Sequence, residues 1–330
     1  MIGYLALARE TFDVEFAESK FSEAKNILES VSTDALGFNQ LITNDDIASQ
    51  ALEFFESNEC EKIFIFQTTF TDAKFILNFT KTINKPICIV SFPEPRTGGR
   101  LRLNSICGLN LGMHSLIKNN ISPDFIIMQS DTKFNKLSFS KFIESSNDNE
   151  NTLWNEATIS NNRSDFNYTI DKQTIGIIGA RPEGFYTCDY DQDEVTDKLN
   201  VSLINLELDD LFDEAKNVNT ETIASTKNTI SGYLQGTEEL VQDEFDKSIS
   251  IYHGLESLKD KHNLDAFAIR CWPETFTEYG CASCGPMAMM NEKKVSCACE
   301  ADVLGGISCN ILNQMNHNPS LLVDIVDVDK

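Results

Sequence analysis

The sequence predicts an α/β protein of two domains, each built on a mainly parallel sheet. Short, nearly continuous apolar runs alternate with segments whose apolar residues recur at helical spacing, the order that lays helices over both faces of a parallel sheet. The alternation is interrupted once, by a stretch rich in Asn, Ser and Asp with little periodicity, and then resumes. At 330 residues the chain has length for two cores, since a domain takes about 150 residues.

The elements follow in order. "IGYLALA" (Ile2 to Ala8) reads as a strand, and "DVEFAESKFSEAKNILESV" repeats apolar residues as a helix does. "TNDD" (Thr43 to Asp46) offers N-cap chemistry for a helix through Phe55. "KIFIFQ" (Lys62 to Gln67) and "PICIVSF" (Pro86 to Phe92) have the unbroken apolar character of strands covered on both faces, and "DFIIMQ" (Asp124 to Gln129) is a further candidate. Near Ser145 the texture changes, which divides the chain into a first domain over 1–150, a linker over 151–171 and a second domain over 172–330. In the second, "TIGIIGA" (Thr174 to Ala180) and "LNVSLINLEL" (Leu199 to Leu208) read as strands, and a long polar helical stretch runs from Thr220 to Lys261. "DAFAIRCW" and "KVSCACE" follow as strands, and "SLLVDIV" (Ser320 to Val326) is the last expected one.

Composition excludes several classes. With 27 basic against 51 acidic residues and a formal charge of -24, the surface repels phosphate backbones and anionic membranes, so no nucleic acid or membrane partner is expected. No apolar run reaches the roughly 18 residues of a membrane helix, and Met1 leads straight into a strand rather than a signal peptide. The expected location is cytoplasmic, where ten cysteines are reduced thiols.

In open α/β sheets, ligands bind where loops leave the carboxyl ends of strands. Four unusual stretches fall there: "FPEPRTGGRLRLNSICG" (Phe92 to Gly108), "ARPEGFY" (Ala180 to Tyr186), "RCWPETFTEYG" (Arg270 to Gly280) and "CEADVLGG" (Cys299 to Gly306). If the last two strands are neighbours, Glu274, Glu278, Glu300 and Asp302 converge, and like charges at close range stay ionised only beside a cation. A hard divalent ion with oxygen ligands, manganese or magnesium, suits such a set. Glu274 and Glu300 read as metal or acid/base residues. Asp302 reads equally as a ligand or as the cap of the helix it opens, and Glu278 as a cap.

Cys281, Cys284, Cys297 and Cys299 suggest a zinc–thiolate site, although the second pair is one residue too close for a knuckle and lies on an expected strand. His114, His253, His262 and His317 show no metal-binding spacing. In the Phe92 to Gly108 stretch, Arg96, Arg100 and Arg102 form a basic island, and Asn104 adds an amide. The pattern fits polyol or phosphate recognition but is neither a P-loop nor a dinucleotide fingerprint.

Taken together, "FPEPRTGGRLRLNSICG", "IGARPEGF", "RCWPETFTEYG" and "CACEADVLGGISCNIL" resemble the L-fucose isomerase and L-arabinose isomerase-like ketol isomerases, over the whole chain from Ile2. The resemblance implies two Rossmann-like domains, a β-rich C-terminal domain that this chain lacks, a homo-oligomer, and a divalent ion, usually manganese with magnesium as alternative. It also implies a monosaccharide substrate that is converted reversibly between aldose and ketose.

Carried onto these residues, the resemblance makes Glu274 a metal-site carboxylate and proton-transfer base, Asp302 a metal ligand, and Glu300 a second catalytic acid. Trp272, Arg100 and Asn104 are then expected to bind substrate, through an apolar face and through hydroxyl contacts. Relatives take a further ligand from a His-Cys-Gly segment. Its absence before "VDIVDVDK" leads to the expectation of a truncated sequence. The expected chemistry is metal-assisted proton transfer through an enediolate. The competing classes are an inactive sugar-binding paralogue and a zinc-stabilised structural domain; which sugar is bound stays open.

Overall fold

The structure, a computed structural model, describes residues 1–145 and 171–328. It divides into two compact units, one comprising Met1–Ser160 with Asp324–Lys330 and the other Asn161–Val323. The expected linker, 151–171, lies outside the described residues except for its last position.

The first unit alternates strand and helix without exception: β1 (Ile2–Leu7), α1 (Val14–Val31), β2 (Ala35–Ile42), α2 (Asp45–Ser57), β3 (Lys62–Gln67), α3 (Lys74–Ile83), β4 (Ile87–Ser91), α4 (Ser105–Lys118), β5 (Asp124–Ile127) and α5 (Thr132–Glu144). The five strands are parallel in the order β2-β1-β3-β4-β5. Every residue of β1, β3 and β4 is buried, as their unbroken apolar runs require. Asp13 and Asn44 start α1 and α2 by accepting the N–H groups of Phe16 and Ile47. The core on one face is aromatic, with Phe64, Phe66, Phe139 and Phe142 in mutual contact.

The second unit repeats the winding with β6 (Gln173–Ile178), α6 (Gln192–Leu199), β7 (Val201–Leu206), α7 (Leu208–Lys216), α8 (Thr220–Ser231), α9 (Gln242–His262), β8 (Ala266–Ile269), α10 (Cys284–Glu292), β9 (Ser296–Ala298) and α11 (Val303–Asn316). Its four strands are parallel in the order β7-β6-β8-β9. Side chains of β8 alternate between two cores: Phe267 and Ile269 enter one, Ala266 and Ala268 the other.

Three expectations are corrected. The stretch Thr220 to Lys261 is two helices, α8 and α9, because "SGYLQGTEELV" between them carries two glycines, Gly232 closing α8 and Gly236 in a left-handed turn (φ 80°). The strand expected over Leu199 to Leu208 shortens to Val201–Leu206, its flanks serving helix ends on either side. Ser320 to Val326 forms no strand. Its alternating apolar residues find no sheet face, and Leu321, Val323 and Ile325 stay 57–70% exposed.

Among the described residues, no helix is long and apolar enough to cross a membrane. All ten cysteines are free thiols.

Candidate functional site at the carboxyl ends of the second sheet

Three of the four singled-out loops meet in the second unit. The first follows β6, the second β8 and the third β9, three neighbouring strands. Main-chain bonds stitch the loops together beyond the sheet: the Arg270 N–H donates to the Ile178 carbonyl (2.8 Å), and the Ala301 N–H to the Ile269 carbonyl (3.0 Å). Between β6 and β8 the strand order reverses direction, the switch point at which doubly wound sheets open a ligand crevice.

Glu274 leaves this edge just after the cis Trp272–Pro273 bond. Its carboxylate is gripped by Arg270, four residues earlier, through two bonds: Nε to Oε2 at 2.8 Å and Nη2 to Oε1 at 2.5 Å. Burial pushes the Glu274 carboxyl up, but the Arg270 guanidinium outweighs it and holds the group below the usual carboxylate range. A further Arg270 nitrogen, Nη1, donates to the Ala180 carbonyl in the loop after β6 (3.2 Å). Trp272 is half-buried against the core and packs edge to face with Phe276, with ring centroids 5.3 Å apart.

Asp302 opens α11, its Oδ1 accepting the Gly305 N–H at 2.9 Å. A Cβ on Gly305 would stand 2.5 Å from Asp302 Oδ2, so a larger residue there would displace the carboxylate from its cap. Burial raises the Asp302 carboxyl above its ordinary value, and the amides of Gly305 and Leu304 offset that only in part. Glu300 and Ala301, just before it, are both left-handed (φ 59° and 53°). Two consecutive non-glycine residues in that region are costly and concentrate at functional turns. Burial pushes the thiol of Cys188, in the loop after β6, up to about 12; the Thr187 hydroxyl pulls it down, the charges of Asp302 and Glu300 add to the rise, and Arg181 opposes them.

The other expected residues fall elsewhere. Arg100 and Asn104 belong to the first unit. Arg100 is exposed and donates to the Thr11 carbonyl (3.0 Å), and Asn104 stands at the start of α4 in a left-handed conformation (φ 49°) with its Oδ1 buried and without a hydrogen-bond partner. The basic island is internally answered, since Arg102 pairs with Asp13 at 2.7 Å. Glu278 is exposed inside the short turn Thr275–Tyr279 and caps no helix.

The zinc reading is not supported: among the described residues no three His, Cys, Asp or Glu side chains are gathered as a metal group. Cys297 points into the core with its thiol pushed up by burial, whereas Cys284 is exposed on the first turn of α10. For a hard divalent ion, too, the described residues gather no such group, and Glu274 and Asp302 are the carboxylates expected as its ligands. They fit such an ion in donor type, and the guanidinium already seated on Glu274 marks that position as one that takes positive charge. Sequence reasoning missed Arg270 and Cys188. The Arg270-to-Glu274 spacing was a readable sign of the pair, whereas nothing local marks Cys188.

These features define a two-unit, doubly wound α/β protein with an acidic, arginine-buttressed site on its second sheet. Residues 3–145 match the family model for the N-terminal domain of fucose/sulfoquinovose isomerases. Nearly the whole chain aligns with sulfoquinovose isomerases: 25% identity to that of Priestia aryabhattai over 99% of this chain and 69% of the relative, and 27% to that of Alkalicoccus urumqiensis with the same coverage. The sulfoquinovose isomerase of Clostridium sp. (strain MSTE9) is 23% identical over 100% of this chain and 69% of its own length. The chain is thus similar over nearly its whole length to proteins of the fucose isomerase-like family.

Proposed function

We propose that the chain is an aldose–ketose isomerase whose proton-transfer site is the carboxylate cluster beyond β8 and β9. The reading is supported by relatives named as sulfoquinovose isomerases and carried by one observation. Glu274 on one side, and Glu300 with Asp302 on the other, leave the carboxyl ends of adjacent parallel strands joined at Ala301 and Ile269. The substrate class is a monosaccharide, and a sulfonated aldohexose is the first candidate from the relatives' name.

Isomerisation moves a proton between neighbouring carbons. Glu274, kept ionised by Arg270, is suited to accept it, and Glu300 to return it on the other side. Glu274 and Asp302 would hold a divalent ion, manganese or else magnesium, which would supply Lewis-acid stabilisation of charge on the sugar oxygens. Trp272 offers an apolar ring for the sugar's C–H face. A homo-oligomer working in the cytoplasm completes the proposal, in keeping with free thiols.

The test is conversion of candidate aldoses to ketoses by the purified protein with manganese, and by its Glu274→Gln and Asp302→Asn variants. Conversion abolished in both, with the far-UV spectrum retained, is expected. Sugar binding without conversion in the unaltered protein contradicts the proposal.

A further inference from the structure

The three loops at the carboxyl ends of β6, β8 and β9 carry five acids, Glu183, Glu274, Glu278, Glu300 and Asp302, against two cationic residues, Arg181 and Arg270. Such an edge repels an anionic group unless one of the arginines meets it. Arg270 is committed: its fork holds both oxygens of Glu274, and its remaining nitrogen, Nη1, donates to the Ala180 carbonyl. Arg181, the residue after Ala180, is differently placed. Its Nε stands 2.8 Å from Asp189 Oδ1, its Nη1 donates to the Pro182 carbonyl at 3.1 Å, and its guanidinium lies 5.6 Å from the centre of the Tyr186 ring. These contacts orient the group, yet 30% of the side chain stays open to solvent, and its partner Asp189 is 39% exposed. An ion pair so well hydrated contributes little, so drawing the guanidinium toward another anion costs little. Its charge and those of Asp302 and Glu300 all reach the Cys188 thiol, in keeping with a place beside the acids of the site.

We propose that Arg181 is the specificity-determining residue of this site: it receives a terminal sulfonate on the sugar and thereby holds the carbons that exchange the proton toward the acids. The inference rests on the reading of this edge as an isomerase site, and it adds the group that tells a charged sugar from a neutral one. Arginine suits a sulfonate because its planar fork offers parallel N–H donors to two oxygens at once. A terminal phosphate presents the same kind of oxygens with more charge and is the alternative source of this chemistry.

The test compares kcat/KM of the purified protein, with manganese present, for a terminally sulfonated aldohexose and for the same sugar with hydrogen in place of the sulfonate. The unaltered protein is expected to favour the sulfonated sugar. Arg181→Gln should lower the ratio of the two values about thirtyfold, mostly through KM, with Arg181→Lys in between. A ratio unchanged in Arg181→Gln, or no preference in the unaltered protein, overturns the inference and leaves the isomerase reading intact. A terminally phosphorylated counterpart favoured over the sulfonated sugar overturns the sulfonate as the ligand. Labelling of Arg181 by phenylglyoxal, followed by mass spectrometry on the unaltered protein, gives a readout without turnover. The sulfonated sugar should protect Arg181 and its uncharged counterpart should not; equal labelling with both overturns the inference, also where Arg181→Gln fails to fold. Conversion of none of the sugars overturns the isomerase reading and the inference with it.

Discussion

The two units wind their first four strands in the same spatial order, β2-β1-β3-β4 in one and β7-β6-β8-β9 in the other, yet the carboxyl ends of their sheets carry different chemistry. In the first unit charge is consumed by structure. Glu94, buried, accepts the N–H groups of Arg102 (2.5 Å), Leu103 (2.9 Å) and Asn104 (2.8 Å), which pins the loop ahead of α4. Arg9 pairs with Asp72, and Arg102 pairs with Asp13 while lying 3.8 Å over the Phe16 ring. In the second unit the acids are less fully answered. Asp302 stays raised by burial, Glu300 and Ala301 hold a costly backbone, and Glu274 shares its charge with a single arginine. One winding supplies two platforms, and the proposed function places proton transfer on the second.

The contrast breaks most readily at Glu274. Glu274→Gln should lower isomerase turnover by about a thousandfold or more with the far-UV spectrum retained, measured by ketose formation, because it removes a proton-transfer group. Glu94→Ala should do the opposite, leaving manganese affinity unchanged while costing the first unit about 3 kcal/mol in urea unfolding, as three sheltered amides lose one charged acceptor. A large fall in metal affinity with that variant would erase the distinction between the platforms.

Asn104 sharpens it further. Asn104→Ala places alanine at φ 49° and should cost about 1 kcal/mol of stability. Urea unfolding of the variant checks this, and an unchanged midpoint contradicts the backbone account.

The smallest effect concerns the back of the second unit. Glu256 is pushed up by burial, but Lys293 and Tyr252 outweigh that, with His253 adding to the pull, and hold it below its ordinary 4.5. A depressed carboxyl contributes stability that is complete above pH 4.5 and is lost as pH falls through the folded value. Glu256→Gln should therefore flatten the acid side of the stability profile by about 1 kcal/mol, read from urea midpoints at successive pH values, with no effect on turnover.

Legibility in the sequence followed burial. β1, β3, β4, β6 and β8 were readable because sheltering on both faces demands unbroken apolar runs. β2 was not, because its exposed Asn39 and Gln40 break the pattern. "SLLVDIV" misled for the reverse reason: an apolar run is a property of the chain, whereas a strand also needs a ladder partner. Asn44, within "TNDD", and Asp302 were legible as caps, since an oxygen next to an amphipathic run has one common use. At the site, acids grouped behind two strands could be recognised from residue type. The left-handed pair Glu300–Ala301 could not, because no glycine or asparagine marks the turn. Cys188 joins the charges only through the fold.

The central claim is that the acids beyond β8 and β9 move a proton between adjacent sugar carbons. Solvent deuterium incorporation at C2 of a candidate aldose, followed by proton NMR with manganese present, tests it without depending on net conversion. Incorporation by the unaltered protein, lost in Glu274→Gln and retained in Glu256→Gln, is the predicted result. Undiminished incorporation in Glu274→Gln would contradict it.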